Sequence, residues 1–301
     1  MTVRRFIYNI IKYPLILIFL KTPLIKILKK RFRFHRFRRT NLTNKSQNII
    51  MLTLDTVFQK EYFNKLKSKE EIRDLTDSSL SSGEGEKWAQ HYYEKNILQL
   101  GLILDETIYT RMVNYIKTNN LQENKDVHII QLGSSSGRDL EYLFKIYPEL
   151  NYISTDINDE ILNFQKKKYK FKNLKYYKCY AEDIDKCINH FNLSNKIIIL
   201  FTCGSIQCVN PYFLEQFFSK ISTFEQLNLF ISEPISIRFI ENSENLSESR
   251  GNIFFSHQYG KYALNAKMKI VEKKIIHLFA KDDPNHKDTA NYYLHVEHKT
   301  I

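Results

Sequence analysis

The chain has 301 residues, with 45 Lys and Arg against 33 Asp and Glu, and a formal net charge of +12. Residues 1–40 contain 12 of the basic residues and no acidic one, so the other 33 basic residues balance the 33 acidic ones. This distribution excludes a body that is basic throughout. The four cysteines form no Cys-x-x-Cys pair, so no metal site is predicted, and at least three of them are expected to be buried thiols of a cytoplasmic protein.

Residues 1–40 are predicted to form a basic amphipathic arm that lies on a membrane surface. A spanning helix needs about 20 nearly uncharged residues, whereas the longest lysine-free apolar stretch, residues 13–20, is too short. Pro14 and Pro23 also oppose one straight helix. We therefore expect a cytoplasmic protein that associates peripherally with anionic lipids, with its lysines reaching toward the headgroups.

Three other interpretations of this arm remain open. A signal peptide would share the positive start and short apolar core, but no small-residue cleavage site follows. An RNA-binding arm would use the arginines that alternate with Phe32, Phe34 and Phe37 to bind phosphates and stack on bases. A helix that docks on the protein itself is the third. Nucleic acid is the less favoured partner, because RNA binding would not use the apolar half of the arm.

Residues 41–125 are predicted as a helical cap and linker region. Two helices are expected near its end, at 86–99 and 104–118. Trp88 and Tyr92 fall on roughly one face of the first helix. Aromatic packing onto the body of the protein explains that face as well as contact with a ligand does.

A cofactor-binding turn is predicted at residues 133–137, with the sequence Gly-Ser-Ser-Ser-Gly. An apolar strand at 127–132 precedes it, and after a helix a second strand ends at Asp156. Glycine has no Cβ and tolerates positive φ, so such a turn lets the backbone approach a ligand closely. A carboxylate at the end of the next strand can accept hydrogen bonds from a ribose diol.

A third segment completes the pattern. A helix at 159–170 leads to a short strand at 175–179, and Ala-Glu-Asp-Ile follows at 181–184, which puts a carboxylate where it can contact an adenine amino group. The order of these segments resembles the class I S-adenosylmethionine-dependent methyltransferases. In that family the first strand and the turn hold the methionine part of the cofactor, an acid after the second strand holds the ribose, and an Asp after the third meets the adenine.

The resemblance implies a set of S-adenosylmethionine contacts. They are Gln131, Gly133, Ser134, Ser135, Gly137, Asp156, Glu182, Asp183 and, by position, Cys203, with Trp88 and Tyr92 on a helix that covers the cofactor.

Two of these residues depart from the family pattern. Gln131 stands where Asp or Glu is usual, and Ser135 stands where a glycine is common. A glutamine can accept a hydrogen bond but has no charge to pair with the methionine ammonium. A dinucleotide such as NAD is the alternative cofactor, but its Gly-x-Gly-x-x-Gly spacing does not fit Gly133 and Gly137.

The C-terminal part predicts the rest of an α/β fold. Apolar strands are expected at 196–201 and 227–232, separated by a helix from Pro211, and two longer strands without a helix between them close the chain. We predict a Rossmann-like, doubly wound, mostly parallel seven-stranded sheet with a C-terminal antiparallel hairpin. It would occupy residues 126–301 and follow the helical N-terminal region.

The catalytic residues are the least defined part of the sequence. No Asn/Asp-Pro-Pro-Tyr/Phe motif, by which amino methyltransferases of nucleic acids are recognised, is present, and Thr-Cys-Gly-Ser at 202–205 is more similar to small-molecule enzymes. His257 lies in an aromatic and polar segment and, with a pKa near its ordinary value of about 6.5, would suit proton abstraction. For His257 an exposed or structural role is favoured over that of a base, and Glu233, at the end of the fifth strand, is the reserve candidate for the base.

These features predict S-adenosylmethionine-dependent methyl transfer, with O-methylation of a small or lipid- or glycan-linked acceptor at a membrane surface. Two alternatives remain. One is an RNA methyltransferase that uses the basic arm, and the other is a scaffold protein that binds the cofactor without turnover.

Overall fold

The structure, a computed structural model, describes residues 70, 73, 85–94, 107–242, 244–251, 254–278 and 289–298. Two compact units divide the chain, Met1–Ser82 and Gly83–Ile301, and all of these residues except 70 and 73 belong to the second unit. The predicted arm at 1–40 lies outside the described residues. The division at residues 40 and 125 therefore stays a prediction.

Eight helices occur in the described part of the second unit. They are α1 (Gly85–Glu94), α2 (Ile108–Thr118), α3 (Arg138–Ile146), α4 (Asp159–Lys168), α5 (Ile184–His190), α6 (Pro211–Ile221), α7 (Ile237–Asn242) and α8 (Tyr259–Asn265). Helix α2 begins later than the predicted residue 104, because the Thr107 hydroxyl caps it by accepting a hydrogen bond from the Thr110 amide. None of the helices in the described ranges is long and apolar enough to cross a membrane.

Nine strands alternate with these helices. They are β1 (Val127–Leu132), β2 (Asn151–Asp156), β3 (Leu174–Lys178), β4 (Ile197–Cys203), β5 (Leu227–Ser236), β6 (Ser247–Gly251), β7 (Phe254–His257), β8 (Lys269–Leu278) and β9 (Thr289–Glu297). Seven of them form one sheet in the order β3-β2-β1-β4-β5-β9-β8. The first five are parallel, and β9 is antiparallel to both β5 and β8. The predicted fold class is confirmed.

The central strands are apolar on both faces because helices cover both sides of the sheet. On β4, Ile198 and Leu200 belong to one buried cluster, whereas Ile199 and Phe201 belong to a second one. This explains the continuous apolar run in the sequence, since a parallel strand between two helical layers has no solvent face. The order of the strands reverses between β1 and β4, and ligands of such sheets bind at the carboxyl ends of the strands near that point.

The sequence interpretation missed two features beyond β4. Strand β5 does not end at Pro234 but continues to Ser236, where it pairs with β9. Its pairing with β4 stops at Ser232, so Pro234 lies where β5 has one neighbour in the sheet, and the missing amide hydrogen is tolerated there. The second feature is the separate two-stranded β6-β7 sheet, which was not predicted.

Candidate functional site

The turn after β1 has the conformation that its sequence predicts. Gly133 and Gly137 have φ of 69° and 75°, and Ser135 between them has φ of 48°. A Cβ at Gly137 would lie 2.6 Å from the Tyr169 ring, and one at Gly133 would collide with the Ser205 side chain. Glycine is therefore required at both ends of the turn, where the chain leaves the sheet and α3 begins.

A buried network of hydrogen bonds connects this turn to β2, to α4 and to the residue that follows α4. Ser154 Oγ lies 2.6 Å from Ser134 Oγ, and the Gln165 amide donates hydrogen bonds to Ser134 Oγ at 2.8 Å and to the Ser135 carbonyl at 2.7 Å. The Tyr169 hydroxyl donates to the Ser136 carbonyl at 2.9 Å. The network connects the serines of the turn to strand β2, to Gln165 of helix α4 and to Tyr169.

Asp156 connects the turn to the end of β2. Its carboxylate accepts hydrogen bonds from the amides of Ser135 and Asn158, both at 3.1 Å, and its side chain is buried. Burial raises the pKa of Asp156 to about 6, while the amide donors act in the opposite direction. Asp156, the residue predicted to bind the ribose, therefore lies beside the turn. Its carboxyl group changes charge at mildly acidic pH.

Gln131 has a charged neighbour that the sequence interpretation missed. Its side-chain amide donates to Asp139 Oδ2 at 2.6 Å, and both side chains are fully or almost fully buried. The Tyr109 hydroxyl lies 3.5 Å from Cys203 Sγ in the same region, and burial, followed by the charge of Asp139, raises the pKa of Tyr109. A carboxyl group is thus present beside the first strand, supplied by Asp139, the second residue of α3.

The third predicted segment forms a short 3-10 turn, Ala181–Asp183, which begins shortly after β3 ends at Lys178. Glu182 and Asp183 are both buried there. The Asp183 carboxylate lies 3.1 Å from Lys186 Nζ and 3.9 Å from Lys220 Nζ. The carboxylates are thus at the expected end of the strand, and that of Asp183 takes part in a lysine cluster that the sequence did not predict.

Glu233 stabilises the loop that follows β4. Its carboxylate accepts hydrogen bonds from the Thr202 hydroxyl at 2.8 Å and from the amides of Ser205, Ile206 and Gln207 at 2.9, 3.2 and 3.2 Å. Three of these donors contact Oε1 and one contacts Oε2, so a structural role accounts for the burial of Glu233. Burial raises the pKa of Glu233 to about 7.

His257 lies at the end of β7 and is fully buried. Its Nδ1 is 2.6 Å from Ser247 Oγ, which in turn lies 2.8 Å from the Tyr262 hydroxyl. Burial and, second, the charge of Arg250 lower the pKa of His257 to about 3, although the carbonyls of Val209 and Ile206 act in the opposite direction. The expected pKa near 6.5 is therefore wrong. The ring is neutral at pH 7 and a weak base, and its catalytic role stays a prediction.

Helix α1 packs beside the turn. Ala89 and Tyr93 pack against Phe164 of α4, and the guanidinium of Arg138 lies 4.0 Å from the centre of the Tyr93 ring. Trp88 and Tyr92 belong to this helix, but their side chains lie outside the described residues, so their contact with a cofactor stays a prediction.

The sheet thus gathers most of the predicted site at one edge. The turn at 133–137, Asp156, the Ala181–Asp183 turn and Cys203 lie at the carboxyl ends of β1 to β4 in turn or within the following residues. Glu233 lies in β5, directly after the last residue that pairs with β4. All four cysteines are buried, whereas burial was predicted for at least three of them. Within the described residues, no group of three or more His, Cys, Asp or Glu side chains could hold a metal ion.

No protein-family model and no curated protein matches the sequence. Solved structures match its fold. Phosphoethanolamine N-methyltransferase 2 from Haemonchus contortus has a TM-score of 0.50 at 12% identity, over 79% of this chain and 61% of that chain. 1,6-Didemethyltoxoflavin-N1-methyltransferase from Burkholderia thailandensis has a TM-score of 0.48 at 9% identity, over 78% of this chain and 92% of that chain. An S-adenosylmethionine-dependent methyltransferase from Clostridium acetobutylicum has a TM-score of 0.46 at 14% identity, over 71% of this chain and 98% of that chain.

The chain is similar in fold to the Haemonchus protein. At an identity this low, the similarity bears on the fold alone. The chain has the Rossmann-like fold of the class I S-adenosylmethionine-dependent methyltransferases.

Proposed function

We propose that this protein transfers a methyl group from S-adenosylmethionine to an acceptor. The observation that carries the proposal is the arrangement at one sheet edge of a positive-φ glycine turn, a buried carboxylate after β2 and buried carboxylates after β3. When bound, the cofactor would supply an electrophilic methyl group on a sulfonium. The protein would then mainly position the acceptor and exclude water.

The buried acids fit the polar parts of that cofactor. Asp156 would accept hydrogen bonds from the ribose hydroxyls, and Glu182 or Asp183 would meet the adenine amino group. Asp139, held by Gln131, would pair with the methionine ammonium in place of the usual strand acid, because it carries the charge that Gln131 lacks.

The test is binding followed by turnover. We expect S-adenosylmethionine and its demethylated product to bind in calorimetry, whereas NAD does not. Radiolabelled S-adenosylmethionine incubated with fractionated cell extract then identifies the acceptor class. Label in small molecules, lipid or glycan supports the proposal, label in RNA supports the alternative, and tight binding without any transfer supports a scaffold protein.

Changing Asp156 to Asn is expected to weaken S-adenosylhomocysteine binding by about 1–3 kcal/mol, the range for losing a buried hydrogen-bond partner. Because the pKa of Asp156 is raised to about 6, its carboxylate is charged above that pH and becomes protonated below it. Wild-type affinity should therefore fall as the pH drops through about 6, and the Asn variant should show a weaker, flat profile. Calorimetry across this pH range measures both.

Exposed Glu160, at the start of α4, provides the matched control. Glu160→Gln removes one acidic charge nearby and should leave affinity and its pH profile unchanged. Wild-type affinity in Asp156→Asn would contradict the ribose assignment.

The acceptor is proposed to be a small or lipid- or glycan-linked hydroxyl compound. His257, whose ring is neutral at pH 7, and Glu233 remain the proposed proton acceptors. The four donors to the Glu233 carboxylate and the low pKa of His257 both favour positioning over strong base catalysis.

Residues 1–40 are proposed to bind the protein to anionic membranes. Deleting them should abolish sedimentation with liposomes that contain phosphatidylserine, because 12 basic residues and no acid lie there. Cofactor binding should be retained, since its proposed site lies in the second compact unit. A truncated protein that still sediments with these liposomes would show that the membrane contact lies elsewhere.

A further inference from the structure

Arg250, on β6, is a half-buried cation beside the proposed site. Its Nη2 donates to Gln207 Oε1, and its Nε donates to the Phe255 carbonyl at 3.3 Å. Within the described ranges it forms no ion pair with a carboxylate. Removing a cation from water is costly unless an opposite charge or hydrogen bonds compensate it, and the two acceptors here are both neutral.

Tyr259, the first residue of α8, presents a second unsatisfied group. Its side chain is fully buried, and its hydroxyl has no hydrogen-bond partner in the part of the chain that the structure describes. Buried hydroxyls normally have a partner. Burial and the charge of Glu233 raise the pKa of Tyr259, whereas Arg250 acts in the opposite direction. The hydroxyl is therefore protonated at neutral pH, and it interacts electrostatically with Arg250.

The charged and titratable neighbours of Arg250 and Tyr259 include Glu233 and His257. The Glu233 carboxylate already accepts four hydrogen bonds and is not paired with Arg250. His257 is neutral at pH 7, so it adds no second cation. Within the described residues, neither Arg250 nor the Tyr259 hydroxyl forms a hydrogen bond to a carboxylate, although Glu233 interacts electrostatically with both.

The cluster also borders the glycine turn. Gln207 belongs to the Ile206–Cys208 3-10 turn, and the preceding Ser205 hydroxyl donates to the Gly133 carbonyl at 3.1 Å. A molecule held by Arg250 and Tyr259 would therefore lie next to the proposed cofactor site, at the carboxyl ends of β4 and β5.

We propose that Arg250 and Tyr259 bind an oxyanion group of the methyl acceptor, a carboxylate or a phosphate, and that Gln207 orients the guanidinium. A guanidinium can bind two oxygens of such a group at once, and the tyrosine hydroxyl can donate to a third position. The inference rests on the proposed function in one respect, namely that the anionic molecule is the methyl acceptor.

The experiment is calorimetry with the full chain saturated with S-adenosylhomocysteine. The probes are phenyl phosphate and benzoate, with benzyl alcohol as the neutral control, in about 0.15 M salt so that surface charges are screened. We expect one anion to bind and the alcohol not to bind. Arg250→Ala should lower the anion affinity at least about 10-fold, Arg250→Lys should retain part of it, and Tyr259→Phe should lower it several-fold. The preferred anion distinguishes phosphate from carboxylate.

Lys261→Ala is the matched control, because it removes an equal charge from an exposed position on α8 and should leave anion affinity unchanged. Thermal unfolding shows that each variant is folded, and Tyr259→Phe keeps the ring. Equal binding of the alcohol, or unchanged anion affinity in Arg250→Ala and Tyr259→Phe, overturns the inference. S-adenosylhomocysteine binding without anion binding refutes this site alone, whereas failure of cofactor binding refutes the proposed function.

Discussion

Replacing Glu233 by Ala is expected to lower the free energy of unfolding by about 3–5 kcal/mol at mildly acidic pH. The substitution removes the acceptor for the Thr202 hydroxyl and for three consecutive backbone amides, at a side chain that is fully buried. Thr202, Ile206 and Gln207 are buried, so water cannot replace the carboxyl group there without rearrangement. Urea denaturation followed by circular dichroism measures the loss.

The loss should depend on pH. The pKa of Glu233 is raised from 4.5 to about 7 in the folded protein, so the contribution of this group to stability is complete below about pH 4.5 and is lost as the pH rises through 7. The alanine variant has no such group. The difference in stability between wild type and variant should therefore be larger at about pH 6 than at about pH 8.

Glu225 gives a matched control, because it is an exposed glutamate just before β5. Glu225→Ala should change stability by no more than about 0.5 kcal/mol. If Glu233→Ala unfolds like wild type but loses turnover, the residue acts as a base and its structural role is wrong.

The central sheet could be predicted from sequence because its signals are local. The apolar run of β1, the glycine turn and the acid at Asp156 follow one another within 30 residues, and each has one simple structural interpretation. The structure places them as expected, down to positive φ at Gly133 and Gly137. Continuous apolar strands with helices between them also determine that the sheet is mostly parallel.

The β6-β7 hairpin could not be recognised in the same way. Its strands are short and β6 is largely polar, so neither has the alternation that identifies a strand. Gly251, at the end of β6, and the following Asn252 were the available signal, since such residues favour tight turns. Without the hairpin, sequence reasoning could not foresee that Arg250 and His257 belong to one buried cluster.

The charge near Gln131 was missed for a different reason. An acid in the first turn of a helix is common, because it interacts favourably with the helix dipole and free amides. Asp139 therefore does not stand out in the sequence. Only the packing of α3 against β1 brings it to Gln131. Likewise, the pKa of His257 depends on burial by segments that are distant in sequence, which no local pattern contains.

Changing Asp139 to Asn is expected to weaken S-adenosylhomocysteine binding by about 10- to 100-fold, because a charge-assisted hydrogen bond contributes about 1.5–3 kcal/mol. Methylthioadenosine, which shares the adenosine part but has no ammonium or carboxylate, should bind both proteins equally. Glu149→Gln, at an exposed position after α3, is the charge-matched control and should bind both ligands like wild type. Competition calorimetry with the two ligands measures the difference.

A second substitution tests whether the charge itself, and not its position, is what the cofactor requires. In the Asp139→Asn background, Gln131→Glu returns a carboxylate to the end of β1. In the wild type, Gln131 and Asp139 are 2.6 Å apart, so the new carboxylate would face the new amide in the double variant. Affinity for S-adenosylhomocysteine should then recover most of the loss, while methylthioadenosine binding stays constant. If both ligands weaken together in Asp139→Asn, the residue only supports the glycine turn, and the ammonium is held by other groups.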